Sequence, residues 1–505
     1  MKWLDALIDR VTMYRLLMYF LIATLGTAML LGAFGLITYN PYSIFATTSL
    51  LVGTSWLTNF IFARVFNAPS NPNSSILSGL ILALVATPIT APEGAPFLIA
   101  IAALAIASKY ILAINHKHIF NPVAIAAVLM AFGPQETVSW WVGTSLLAPV
   151  VLIGGALVAR KIRRGRMVSI FFGVALAAIV VGALATGRDP LATIQTTILH
   201  SSLLFLGFVM LTEPLTSPST RTKQWIYASV VGILFVPQLH IGSIYTTPEL
   251  ALVVGNLVSF LITPRVKTLL KLKSHNEKHG SSEDFIFQPE KPFAYKPGQY
   301  VEITLPHGHA DSRGSRRYFT LASSPTESDI RVGIRFYQNG STFKQALASA
   351  GDDLFASVGQ LGGEFTLPKD PTRKVAFIAG GIGITPFRSM IKYMSDTNDK
   401  RPAVLLYGER TVGEVAYSDV FEEARQKIGV KTSYVINDGT AHVDPNIVTG
   451  RVDAAMIQAQ VPDYPERLFY ISGPQSMVHS MRQQLIQIGV KRRDIKTDYF
   501  SGYAS

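Results

Sequence analysis

The chain of 505 residues contains no cysteine. That absence excludes disulfides, thiolate zinc sites, cysteine-ligated iron–sulfur clusters and catalytic thiols. It leaves the redox compartment open. Charge is scarce as well. Asp, Glu, Lys and Arg make up 15% of the chain, against about 25% in a typical soluble protein. Apolar residues reach 49%, which excludes disorder and argues against a wholly soluble protein. The length suggests roughly two to four domains. A formal net charge of +12 raises the question of where the basic excess lies. Residues 1–273 hold 18 Lys and Arg against 7 Asp and Glu, and the remainder holds 27 against 26. The excess therefore belongs to the apolar half. No basic run is interleaved with aromatics as single-strand binding requires, so nucleic acid is not an expected partner.

What the first half does have is apolar stretches of membrane-spanning length. They fall at about 13–38, 42–63, 74–90, 95–113, 140–161, 166–186, 194–211, 222–240 and 246–263, with a shorter one at 120–133 that opens on Asn121-Pro122. The reading is ten transmembrane segments and no cleavable signal peptide, because the first run is too long and more spans follow. With the N-terminus in the cytoplasm, 17 of the 18 basic residues fall on inner loops and only Arg188 falls outside. This is a positive-inside pattern. It predicts a multi-pass protein of the cytoplasmic membrane, surrounded by lipid, with both termini cytoplasmic.

The expected organisation is a polytopic α-helical membrane domain over 1–265 and a linker over 266–283. An antiparallel β-barrel over 284–370 and an α/β nucleotide-type domain over 371–505 follow. Past Asp284 the pattern shortens to alternating runs such as Gln299–Leu305 and Ile330–Phe336, which read as antiparallel strands. From Lys374 strands alternate with helices, beginning with Val375–Ala379 and Thr385–Met394.

The α/β region opens with a strand and the turn Gly380-Gly381-Ile382-Gly383-Ile384-Thr385-Pro386. Glycines after a strand let backbone N–H groups approach a pyrophosphate at a helix start, and Pro386 suits the first helical turn. The turn is neither Gly-x-Gly-x-x-Gly nor a Walker loop. In order around it stand Arg317-Tyr318-Phe319-Thr320, Gly340-Ser341-Thr342, Gly359–Phe365, Tyr407-Gly408-Glu409-Arg410, Ser472-Gly473-Pro474 and Phe500–Tyr503. Over about 284–505 the chain resembles the ferredoxin–NADP reductase superfamily. The resemblance implies FAD as cofactor and NAD(P)H as substrate. It implies that Arg317 pairs with the FAD pyrophosphate, Phe319 covers the flavin and the Thr320 hydroxyl bonds near N5. Each role suits its chemistry: a guanidinium fork for phosphate, a π face for the isoalloxazine, a donor where reduction places a proton. Gly340, Ser341 and Thr342 correspond to a second FAD phosphate contact. Gly380, Gly381, Gly383 and Thr385 correspond to the dinucleotide loop, with Thr385 near the hydride-transfer position. Ser472, followed by Gly473 and Pro474, stands where many members have Cys. Phe500 corresponds to the second face of the flavin. Arg410 suits a 2′-phosphate contact and equally a salt bridge, so NAD and NADP both stay open. No metal site is expected.

Asn73–Gly79, Lys117–Val123 and Leu211–Pro218, together with the ten spans, resemble the RnfD/NqrB family of membrane electron-transfer subunits over about 13–265. That family binds flavin. Its covalent FMN motif is absent here, and Glu213 replaces the usual Asp of its Thr-Asp-Pro turn. A second, non-covalent flavin (FMN or riboflavin) among the Asn73, Asn121 and Thr212 regions is one reading, and helix capping with interhelical bonding is the other. Four histidines in this half, His116, His118, His200 and His240, do not form facing axial pairs, so bis-His haem is not expected. The resemblances imply a membrane oxidoreductase. It takes hydride from NAD(P)H to FAD on the cytoplasmic side and passes electrons into or across the bilayer, to a flavin, a quinone or another acceptor. Two alternatives are a flavin reductase on a passive membrane anchor and a redox-driven cation pump.

Overall fold

The computed structural model describes residues 8, 11–66, 72–114, 117–133, 138–236, 239–242, 244–263, 268–305, 307, 311, 315–336, 340–351, 354–439 and 444–500. The chain divides into two compact units, Met1–Pro264 and Arg265–Ser505. Residues 134–137, after the fifth apolar stretch, lie outside the described residues.

The first unit is helical, and each of the ten expected stretches carries a helix. Among the described residues, four helices are long and apolar enough to cross a membrane: Met13–Ala33, Pro41–Val65, Pro92–Ile111 and Gly165–Ala185. A fifth is added if Pro190–His200 and Leu203–Met210, bent by 63°, count as one span. The other apolar stretches are longer in sequence than in helix. Pro122–Ala131 and Pro248–Ile262, for example, have 10 and 15 residues. Their starts explain part of this. Asn121, Asp189 and Thr247 each cap a first turn with a side-chain oxygen and are followed by Pro at the first helical position. The Asn121-Pro122 and Thr247-Pro248 pairs set the helix start inside the apolar run, whereas Asp189-Pro190 starts its helix four residues ahead of it. One large apolar core, from Phe20 and Leu21 to Ala251 and Leu252, runs through the unit.

The second unit holds two six-stranded sheets. The first is antiparallel, with strands β1 Leu269–His279, β2 Ser282–Pro289, β3 Tyr300–Thr304, β4 Arg316–Thr320, β5 Ile330–Arg335 and β6 Phe355–Gly362. Their order is β4-β3-β6-β1-β2-β5. The segment expected as a linker, 266–283, contains all of β1, which pairs with both β2 and β6. The Ser/His/Asn/Glu/Lys composition hid it, because polar residues are tolerated where β1 runs past the end of the core. Only Leu270 and Leu272 of β1 enter the core with Phe285, Phe287, Val301 and Val332. The expected barrel is a curled sheet around this one core.

The second sheet is parallel: β7 Val375–Gly380, β8 Ala403–Glu409, β9 Lys431–Ile436, β10 Ile447–Thr449, β11 Leu468–Pro474 and β12 Ile495–Phe500. The order is β10-β9-β8-β7-β11-β12, so the direction of winding reverses between β7 and β11. The crevice at the carboxyl ends of those two strands is where a doubly wound sheet binds its ligand. Every residue of β7 is buried, as a central strand covered on both faces requires. One face packs on the helices Thr385–Asp396 and Ser418–Ile428, the other on Gln475–Gln487.

Candidate functional site

The glycine turn stands at the carboxyl ends of β7 and β11. Gly380 closes β7, Gly381 to Ile384 form one 3-10 turn, and the helix Thr385–Asp396 follows. Gly381 has φ +56°, which favours glycine. A Cβ on Gly383 would stand 2.6 Å from the Gly473 Cα and press on the Ser472 carbonyl group. A Cβ on Gly473 would stand 3.0 Å from the Gly380 oxygen. The loops after β7 and β11 therefore touch backbone to backbone, and no side chain fits between them. Ser472 is fully buried at this junction, and its hydroxyl has no hydrogen-bond partner among the described residues. The Thr385 hydroxyl donates back to the Ile382 carbonyl at 3.2 Å. Gly380, Gly381, Gly383, Thr385, Ser472, Gly473 and Pro474 are thus one cluster. Arg410, at the end of β8, is exposed. The backbone of Phe500 pairs with Pro474; its side chain lies outside the described residues.

A second cluster forms on the antiparallel sheet. Arg317 and Phe319 alternate with Tyr318 on β4, so both reach Phe343. The Arg317 guanidinium carbon lies 5.4 Å from the Phe343 ring centre, and the Phe319 ring lies 5.7 Å from it. Tyr318 faces the other way, and its hydroxyl donates to Glu302 at 2.7 Å. Thr320 pairs with Tyr300 and is buried. Ser341 caps the helix Thr342–Ala348 by accepting from the Lys344 N–H, and Gly340 precedes it. Arg317 is also 3.3 Å from an Asp311 oxygen, and the Thr342 N–H donates to the other Asp311 oxygen at 3.3 Å. An internal carboxylate thus stands between the guanidinium and the helix start. The donor set suits an anion of phosphate type. His307 adds to it, with Nε2 3.1 Å from the Thr342 hydroxyl.

Between these clusters lie groups that sequence reading missed. Glu327 takes a two-pronged pair from Arg388, at 2.5 and 2.9 Å, and Arg388 also donates to the Ala322 carbonyl. Burial pushes the Glu327 carboxyl up, but the Arg388 hydrogen bonds and charge outweigh it and hold the group below its ordinary value. A charged residue inside the buried face of Thr385–Asp396 was the available signal. Glu409, beside Arg410 on β8, lies 3.1 Å from the Tyr407 hydroxyl. Burial, aided by Glu414, pushes its carboxyl up to about 7. The side chains of Glu409 and Arg335 both flank Gly381.

The helical unit gathers its polar groups around Glu213. His118 Nε2 is 3.0 Å from Oε1, while Asn121 Nδ2 and the Thr216 hydroxyl donate to Oε2 at 2.9 and 3.2 Å. The Asn121 N–H donates to Asn256, whose amide donates to Tyr227. Lys109 donates to Ser74. The Thr212 hydroxyl bonds back to Phe208 within its own turn. Asn121 and Glu213 therefore meet, and they do so through capping and interhelical bonds. No group of three or more His, Asp or Glu able to hold a metal is found among the described residues.

The strand-end glycine turn and the antiparallel sheet thus give one lobe open to close backbone approach and one lobe with a donor set for a phosphate-type anion. Residues 377–483 match the family model of the oxidoreductase NAD-binding domain, and residues 141–268 match that of the NQR2, RnfD, RnfE family. Two separate stretches of one chain thus match an oxidoreductase NAD-binding domain and the NQR2, RnfD, RnfE family, and the latter stretch includes the apolar helix Gly165–Ala185. It is similar to the glycine betaine monooxygenase reductase subunit of Chromohalobacter salexigens, 27% identical over 40% of this chain and 55% of that one. It is also similar to methane monooxygenase component C of Methylosinus trichosporium, 29% identical over 32% of this chain and 49% of that one. The chain spans about half the length of these curated relatives. Among solved structures, the flavohem-like FAD/NAD binding domain of nitric oxide dioxygenase from Vibrio cholerae matches at 18% identity and a TM-score of 0.41. That match covers 46% of this chain and 98% of that one.

Proposed function

We propose that the chain is a membrane-bound, NAD(P)H-dependent flavoprotein oxidoreductase that passes electrons from a cytoplasmic reductase unit into or across the bilayer. One observation carries this reading: an RnfD/NQR2-type segment and a reductase-type NAD-binding domain lie on the same polypeptide. Arg317, with Gly340, Ser341 and Thr342, holds the FAD phosphates in place of the Asp311 carboxylate. Phe319 would cover the flavin and Thr320 would donate a hydrogen bond to it, and Phe500 is assigned to the second face by its position in the sequence motif alone. Gly380, Gly381, Gly383, Gly473 and Pro474 let NAD(P)H lie against bare backbone. Thr385 and the unbonded Ser472 hydroxyl line the hydride position, and Arg410 meets the adenosine end. Bound FAD supplies the conversion from a hydride pair to single electrons.

The ten helical segments cross the membrane with the basic loops on the cytoplasmic side of the inner membrane. With no cysteine in the chain, the next carrier is a non-covalent flavin, a quinone or a partner. The test is the cofactor content of detergent-purified protein, with its spectrum before and after NADH or NADPH. FAD plus a second flavin released on denaturation supports the relay. One FAD per chain, with nothing else reducible and no reduction of quinone, reduces the membrane unit to an anchor.

A further inference from the structure

The two lobes of the C-terminal unit meet along a seam of buried polar groups. Tyr417 precedes the helix Ser418–Ile428 with φ 62° and ψ 27°. A bulky residue enters that left-handed region only at an energetic cost. The residue is 5% exposed. Its hydroxyl donates to Asp284 Oδ1 at 2.5 Å, and Arg331 donates to Oδ2 at 2.8 Å. Asp284 lies on β2 and Arg331 on β5, so the bond ties the nucleotide lobe to two neighbouring strands of the flavin lobe.

Gly333 faces Asp284 across the β2–β5 ladder. A Cβ there would stand 2.8 Å from Thr385 Cγ2 and 2.9 Å from the Tyr417 hydroxyl. Thr385, the first residue after the glycine turn, and Tyr417 therefore rest on one bare stretch of β5. Burial, then the Asp284 carboxylate, raises the Tyr417 phenol well above its ordinary value. It remains an O–H donor throughout the physiological range.

We propose that Tyr417 and Asp284 are a positioning pair that sets the spacing between the nicotinamide and flavin sites by holding the Thr385 turn against β5. The inference rests on the hydride-transfer reading above. The pair acts through the Thr385 turn and the β5 backbone. Hydride transfer needs its reacting atoms about 3–3.5 Å apart, and a misplacement of about 1 Å costs about a hundredfold in rate. In Tyr417→Phe the ring and its packing stay, Asp284 keeps Arg331 and Arg388 keeps Glu327, so only the hydroxyl's bond across the seam is lost.

Full-length protein in detergent, loaded with FAD, is mixed anaerobically with NADH or NADPH, each also deuterated at the transferred position. In Tyr417→Phe and in Asp284→Asn the limiting rate of flavin reduction should fall about tenfold or more. The deuterium isotope effect should rise, while FAD content and the half-saturating NAD(P)H concentration hold. The double variant should lose no more than either single one. In FAD-free protein, amide hydrogen exchange across Ile330–Arg335 should rise in both variants. A Tyr417→Phe protein with full FAD content, an unchanged limiting rate and unchanged exchange overturns the proposal. So do losses that add in the double variant. A wild-type flavin that neither nucleotide reduces would sink the hydride reading instead, and exchange would still judge the tie.

Discussion

In the helical unit one carboxylate, Glu213, is shared among His118, Asn121 and Thr216 from separate elements. In the reductase unit Glu327 and Asp284 each take an arginine of their own. Other pairs there, such as Arg425 with Glu422, stand at the surface. The difference follows from the solvent each unit is built for. Where the surroundings are apolar, a polar group left unpaired costs several kcal/mol, so polar groups collect and satisfy one another. Where water is available, an exposed pair competes with hydration and contributes little. Only the buried pairs on the seam between the lobes then constrain geometry.

Four measurements break or sharpen that contrast. The largest effect belongs to Glu213→Ala. It strands several buried donors at once and should cost about 3–5 kcal/mol. Thermal unfolding of the helical unit in detergent should reveal this, with the reductase unit's own transition unchanged. Equal stability to wild type would mean that water or lipid headgroups satisfy those donors, and the contrast would collapse.

Next comes Gly383→Ala, whose methyl group meets the Ser472 and Gly473 backbone. NAD(P)H-driven flavin reduction should drop about a hundredfold, while FAD stays bound. Retained activity would show that the two strand-end loops part easily.

A smaller effect concerns Glu409. Its carboxyl is raised from an ordinary value of 4.5 to about 7. Between those limits the folded chain holds a proton that the unfolded chain has lost. Stability from this group is therefore full below about 4.5 and falls as pH rises toward 7. Glu409→Gln should flatten that part of the melting-temperature profile. An unchanged slope would place the carboxylate in water. The smallest change is expected for Arg425→Ala, about 0.2–1 kcal/mol, read as a small fall in melting temperature. A loss as large as that of Glu213→Ala would erase the distinction between surface and interior pairs.

Much of the fold was legible in the sequence because its signals are local. The Asn-Pro, Asp-Pro and Thr-Pro pairs mark helix starts directly. The run Val375–Ala379 followed by glycines marks a strand, a turn and a helix. Loss of that local signal explains the miss at β1: its polar residues alternate with few apolar ones, and only pairing on both sides makes it a strand. The candidate site divides in the same way. Gly380, Gly383 and Gly473 could be singled out because a glycine at a strand end advertises close backbone approach. Asp311, Glu327 and Tyr417 were not, because nothing in their neighbours along the chain distinguishes them from surface residues.

By itself the sequence determined that an apolar, helix-forming half precedes a half of alternating strands and helices, and that no thiol serves either. Those properties depend on composition and on periods of a few residues. Tertiary structure alone decided which distant groups meet: Asp284 with Tyr417, Glu327 with Arg388, Glu213 with His118 and Asn121. A hydrogen bond forms only within about 3 Å, and residues 61 to 133 positions apart come that close only through the packing of the elements that carry them.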